Sequence, residues 1–235
     1  MTSKFLAPDY PFISQSGVWE ENRNLSSLSS SVHKEKSKVP ALFLDRDGVI
    51  VKEVNYLQNP KDVELIQGAA KIIAKANKEK IPVIMVTNQA GIAYGMFGWK
   101  EFDAVQRRLH QDLEEHNAHI DAVFACPFHQ KGDTIWGGHP DHEARKPQPG
   151  MLHRATRMLG VDLEKSWIVG DRASDIEAGL NAGLAGGLHV LTGHGNREGE
   201  TSLAKELETK HFKVRTGSSI AESSQLPIFI ARGGS

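Results

Sequence analysis

The stretch Ala41-Leu42-Phe43-Leu44-Asp45-Arg46-Asp47-Gly48 runs four apolar residues directly into two aspartates and a glycine. An apolar run this short reads as a strand buried on both faces, the kind found in parallel sheets. Its polar end admits two readings, because Asp-Gly is a strong turn signal and paired aspartates also serve as chemical groups. Outward from it the chain alternates. Ala69, Ile72, Ile73 and Ala76 fall at i, i+3, i+4 and i+7 and predict a helix, followed by a strand over 81–86. Phe102, Val105, Leu109 and Leu113 predict a second helix, with a strand over 122–125 after it. A helix over 149–159, with a proline near its start, a strand over 167–169, a helix over 174–180 and a strand over 188–191 complete the series. Strand and helix in strict alternation predict an α/β fold: a three-layer, Rossmann-like parallel sheet with helices on both faces.

In such sheets ligands sit at the carboxyl ends of the strands, where the strand order reverses. Three predicted strands end in polar residues: Asp45-Arg46-Asp47-Gly48, Thr87-Asn88-Gln89, and Gly170-Asp171-Arg172 with Asp175 close behind. Each has a bland reading. The first is a turn and the second a helix N-cap, while the third is a cap made by Asp171 or Ser174. Together they would crowd carboxylates that repel unless a cation sits among them or one stays protonated. Mg²⁺, bound by one or two carboxylates plus a substrate phosphate, answers that problem. Arg145-Lys146-Pro147, between the second and third tips, offers fixed cations to phosphate oxygens, a distribution suited to phosphoryl transfer.

Asp45-x-Asp47-Gly48, Thr87, Lys146 and Gly170-Asp171-x-x-x-Asp175, in that order, resemble the four motifs of the haloacid-dehalogenase-like (HAD-like) phosphohydrolases. The fuller segments 43–48, 86–93, 145–151 and 169–172 are similar to the D,D-heptose 1,7-bisphosphate phosphatases and the related histidinol-phosphatase domains. The resemblance spans about residues 41–192. It implies Asp45 as nucleophile, Asp47 as general acid and base, and Thr87 and Lys146 as holders of the phosphoryl oxygens. It further implies Mg²⁺ between Asp45, the backbone carbonyl of Asp47 and Asp171, with Asp175 orienting that shell. The sugar side falls to Glu53, Val54, Asn55, Tyr56, Asn88, Gln89 and Ala90, and a phosphate to Arg145 and Arg172. Asn55 stands where the family has glycine; asparagine tolerates the left-handed conformation that glycine often adopts.

The same families often carry a zinc loop, Cys-x-His and later Cys-x-Cys. Here Cys126 remains, but Phe128, His142 and Ala144 occupy the other three positions. Cys126-x-x-His129 and His139-x-x-His142 keep ligand-like spacing, so a rewired Zn²⁺ site stands beside the bland reading of solvated loop histidines.

At 235 residues the chain allows one domain or a cramped two. The expected division is an N-terminal extension with a Ser/Lys-rich linker over 1–39, a phosphatase domain over 40–225 without a separate cap, and a tail over 226–235. About forty residues between Asp47 and Thr87 leave no room for a cap domain. Lys and Arg total 28 against 29 for Asp and Glu, so no global field draws nucleic acid or an anionic membrane. Cys126, the single cysteine, excludes an intrachain disulfide. A cytoplasmic monomer acting on a small phosphorylated metabolite is expected, with histidinol phosphate or another sugar phosphate as alternatives to the heptose. A 3'-phosphatase on nucleic acid ends lacks the basic stripe it needs. A non-catalytic interaction protein that uses the N-terminal arm is the rival from another class.

Overall fold

The computed structural model describes residues 11–23 and 38–230; the expected linker, Lys38 and Val39 apart, lies outside the described residues. The apolar runs become strands of one sheet: β1 (Trp19–Asn22), β2 (Leu42–Leu44), β3 (Val83–Asn88), β4 (Ala122–Cys126), β5 (Trp167–Gly170), β6 (Gly186–Val190) and β7 (Lys213–Gly217). Their order is β1-β4-β3-β2-β5-β6-β7. Every pair is parallel except β1 with β4, where Trp19 faces Ala125 and Asn22 faces Ala122. In the centre, Leu44 of β2 lies between Met85 of β3 and Val169 of β5, and all of β2 is buried.

From β2 the chain steps outward to β3 and β4, then returns across the sheet to β5 and continues to β6 and β7. Right-handed crossovers therefore put α1 (Ala69–Lys78) and α3 (Trp99–Glu114) on one face and α4 (Gly150–Leu159) and α5 (Ala173–Ala182) on the other, while the short α2 (Ala90–Ala93) follows β3 and α6 (Glu200–Glu206) follows β6. The predicted stripes are the buried ones: Ala69, Ile72, Ile73 and Ala76 of α1, and Phe102, Val105, Leu109 and Leu113 of α3. The segment between β2 and α1 folds into a small flap, in which Val51 bridges to Asp47 and to Leu65.

Three features depart from the expectations. The N-terminal extension, expected outside the domain, contributes β1 to its sheet, where Trp19 packs on Phe12, Trp99 and Phe102. Strand β3 begins two residues later than expected, at Val83, and Leu191 falls beyond β6. Ile228 and Phe229, in the expected tail, are buried in the short α7 (Pro227–Ile230).

Candidate active site

The three polar tips are neighbours because β3, β2 and β5 are neighbours. They line one crevice of about 580 Å³ at the carboxyl end of the sheet, beside β2, where the strand order reverses. At its floor the Lys146 ammonium donates to Asp45 Oδ1 (2.8 Å) and to the Val86 carbonyl (2.8 Å), and lies 2.7 Å from Asp175 Oδ1. The other Asp175 oxygen accepts from the Arg172 backbone N–H at 3.0 Å, so Asp175 caps α5, the part expected of Asp171 or Ser174. Asp171 Oδ2 accepts instead from the His194 backbone N–H at 2.7 Å. Gly48 and Gly193, both at positive φ, close over Asp171; a Cβ on either would collide with its Oδ2.

Asp45, Asp171 and Asp175 each bring a carboxylate oxygen within 4.8 Å of the others, all in buried side chains. The Lys146 ammonium pairs with two of these three carboxylates. Burial first pushes the Asp45 carboxyl up to about 7; Lys146 opposes this, while Asp175 and Asp47 add to it. Burial followed by repulsion from Asp175 and Asp45 pushes Asp171 up to about 8. For Lys146, burial works against the ammonium, but Asp175 and Asp45 outweigh it and raise its pKa. Hard oxygen ligands, excess negative charge and a glycine-walled cradle are what a small divalent cation such as Mg²⁺ requires.

A second network holds Asp47. The Arg46 guanidinium donates from Nε and Nη2 to the Asp47 carboxylate (2.9–3.2 Å) and from Nη2 to Gln89 Oε1 (3.0 Å). Gln89 Nε2 donates in turn to Asp47 Oδ2 (3.1 Å) and to the Thr87 hydroxyl (2.8 Å). Arg46 is 1% exposed and lies over Phe102, a site position that the Asp45-x-Asp47 motif leaves unassigned. Asn88 also borders the crevice, and its amide pairs both ways with the Lys146 backbone (3.0 and 3.1 Å), joining that loop to β3.

Glu53, Asn55, Tyr56, Gln89, Ala90, Arg145 and Arg172 all border the crevice, whereas Val54 turns out to solvent at 43% exposure and does not line it. Asn55 has φ 50° and Tyr56 φ 63°, so the left-handed step expected at Asn55 extends over two residues. Glu53 Oε1 accepts from the Asn55 N–H, and burial followed by the nearby Asp47 raises the Glu53 pKa. Tyr94, His194 and Arg197 also border the crevice and carried no motif.

Of the zinc candidates, Cys126 is buried at the end of β4, and burial pushes its thiol up to about 12. His129 meets the Tyr94 hydroxyl, and His142 stacks on Phe128 with ring centroids 3.8 Å apart. No three of Cys126, His129, His139 and His142 bring ligand atoms within 4.8 Å of one another. Among the described residues no helix is long and apolar enough to cross a membrane.

Comparison with known proteins agrees with this geometry. A family model described as HAD-hydrolase-like matches residues 143–222. A Mesorhizobium japonicum protein named D-glycero-beta-D-manno-heptose-1,7-bisphosphate 7-phosphatase is 47% identical over 63% of this chain and 68% of its own length. A Photorhabdus laumondii protein named as the alpha-anomer phosphatase is 37% identical over 70% and 89%. Among solved structures, a Mesorhizobium loti protein described as a HAD-like phosphatase is 35% identical with a TM-score of 0.75, over 96% of this chain and 95% of its own. The D,D-heptose 1,7-bisphosphate phosphatase of B. bronchiseptica, complexed with magnesium and phosphate, is 28% identical with a TM-score of 0.67, over 80% and 97%. The chain is a phosphomonoester hydrolase that belongs to the HAD-like phosphatases and, within them, to the family of the D-glycero-D-manno-heptose-1,7-bisphosphate 7-phosphatases.

Proposed function

We propose that this chain removes the 7-phosphate of D-glycero-D-manno-heptose 1,7-bisphosphate, with the beta anomer the first to test because the relative at 47% identity bears that name. The observation that carries the reading is the gathering of Asp45, Asp47, Thr87, Lys146 and Asp171 in one crevice bordered by Arg145 and Arg172. In this reading an Asp45 carboxylate oxygen attacks phosphorus and the bond from phosphorus to the sugar oxygen breaks. The leaving oxygen takes a proton from the Asp47 carboxyl. Asp47, now a carboxylate, takes a proton from water as that water attacks the aspartyl phosphate; the bond to Asp45 breaks, phosphate leaves and both aspartates are restored. Asp45, Asp171 and the Asp47 carbonyl would hold Mg²⁺, which supplies positive charge to the phosphoryl oxygens. Asp175, with both oxygens engaged, keeps Lys146 in place.

Arg145 and Arg172 supply charge for the phosphate that is not cleaved, and Glu53 accepts from sugar hydroxyls. The test is phosphate release from both heptose bisphosphate anomers, histidinol phosphate and other sugar phosphates, with and without Mg²⁺. Preferred hydrolysis of a heptose bisphosphate, lost in Asp45→Asn, is the expected outcome. Equal activity in Asp45→Asn refutes the mechanism, and preference for another substrate refutes the specificity.

A further inference from the structure

Three isolated features of this chain meet at one place: the N-terminal segment, the aromatic residues of the 127–144 loop, and Arg145. Residues 12–20 form a hairpin, with Gly17 donating to the Ser14 carbonyl (2.8 Å) and Glu20 to the Phe12 carbonyl (2.7 Å). Its turn needs Gly17 at φ 77°, and a Cβ there would overlap the Trp136 ring and stand 3.1 Å from Phe128. Trp136 packs edge-on against Phe128 (5.4 Å) and Trp99 (6.2 Å), and Trp99 lies tilted against Trp19 of β1 (5.5 Å). Phe128 in turn stacks on His142 (3.8 Å) and meets His139 edge-on (4.8 Å). Arg154 of α4 pairs with both Glu20 of the hairpin and Glu143 of the loop. The loop ends in a residue of the crevice: Arg145 Nη1 donates to the Phe128 carbonyl at 2.9 Å, and its N–H to the His142 carbonyl at 2.8 Å.

We propose that the N-terminal hairpin, acting through Trp136 and Phe128, takes the place of a structural metal in holding the 127–144 loop, and that Trp136 is thereby a positioning residue for Arg145. The donor set supports this. The positions of Cys126, Phe128, His142 and Ala144 carry one thiol and one imidazole; the thiol is buried and the imidazole lies flat on a phenyl ring. Ala144 is fully buried. This is an apolar plug, stabilised by area and by aromatic contacts of about 0.5–1.5 kcal/mol each. The consequence for substrate binding rests on the reading of Arg145 given above.

Kinetics on Trp136→Ala and Trp136→Phe separate positioning from general damage, using D-glycero-β-D-manno-heptose 1,7-bisphosphate and phenyl phosphate, which carries no second phosphate for Arg145 to hold. Trp136→Ala is expected to raise KM for the bisphosphate about tenfold or more, the value of a charge-assisted contact. Its kcat and its kcat/KM for phenyl phosphate should stay near wild type, and Trp136→Phe should restore KM. Parallel losses on both substrates, or an unmoved KM, overturn the proposal. So does protein purified without added metal that retains a full equivalent of zinc. If the wild type hydrolyses phenyl phosphate and not the bisphosphate, the substrate reading fails by itself. The coupling is then read from alkylation of Cys126 at pH 8, expected to accelerate about tenfold or more in Trp136→Ala as the plug opens; an unchanged rate overturns it.

Discussion

Lys146→Met removes a charge while keeping most of the side-chain volume, and it isolates what that charge does in the floor of the crevice. The ammonium is 1% exposed and has three partners at 2.7–2.8 Å, two of them carboxylates. Deleting one member of a buried charge pair strands the other, at a cost of about 3–5 kcal/mol. In a domain of this size each kcal/mol lowers the unfolding midpoint by about 2–4 °C, so the metal-free variant should melt about 6–20 °C below wild type. Methionine offers no hydrogen bond to the Val86 carbonyl, which adds to the loss. Added Mg²⁺ should recover part of the difference, because it returns positive charge to the same carboxylates. The assay is urea and thermal unfolding of both proteins at pH 7.5, first in chelator and then in Mg²⁺, with phosphatase activity alongside. A loss under about 1 kcal/mol in chelator, the size of an ordinary substitution, would refute the view that Lys146 offsets stranded negative charge.

Asp47→Asn should lose about 10²–10⁴ in kcat, the usual worth of a general acid and base, measured by steady-state phosphate release; a smaller loss counts against its proton-transfer role. Gly193→Ala, at φ 58° and directed at Asp171 Oδ2, should raise the Mg²⁺ needed for half-maximal activity by about 10–100-fold, and an unchanged requirement would remove Asp171 from the metal site. His110 is pushed down to about 3, by burial first and then by Arg23. The unfolded chain therefore takes up a proton below about pH 6.5 that the folded chain refuses, and stability is lost as the pH falls, by about 1.4 kcal/mol per unit and so by about 2 kcal/mol at pH 5. Its Nε2 has no hydrogen-bond partner among the described residues, so His110→Leu should flatten that acid limb in urea unfolding at pH 5 and 7.5; parallel curves would show that His110 stays solvated.

What the sequence made legible was what local pattern controls. The buried parallel strands read as apolar runs, the stripes of α1 and α3 read as 3.6-residue periods, and the carboxylates stand where three runs end. Tertiary context decided the remainder. In β1, Glu20 and Glu21 follow Trp19 and break any apolar run, yet Glu21 is buried beside the Trp19 indole. β7, Lys213-Val214-Arg215-Thr216-Gly217, is charged because it is an edge, where lysine and arginine discourage further pairing. Arg46 read as a spacer between two aspartates, and nothing local signalled that its guanidinium would be buried over Phe102. His194 and Arg197 reach the crevice from the loop after β6, a proximity set by sheet order. Val54 shared a segment with Glu53 and Asn55, but the left-handed steps at Asn55 and Tyr56 turn that backbone so that Val54 faces out.

The pairing of β1 with β4 also sets an order of events during synthesis. Trp19 and its partner Ala125 are more than a hundred residues apart in sequence. At about 5–20 residues per second, translation leaves the first strand waiting about 5–20 seconds for its place in the sheet. Throughout that interval a segment with Phe12, Ile13, Val18 and Trp19 has nothing native to cover it. Glu20 and Glu21 then act as gatekeepers, charges that keep an unpaired apolar strand from adding to the wrong edge. Neutralising both should increase aggregation of nascent or refolding chains while leaving finished, folded molecules soluble, which pulse refolding followed by light scattering would reveal.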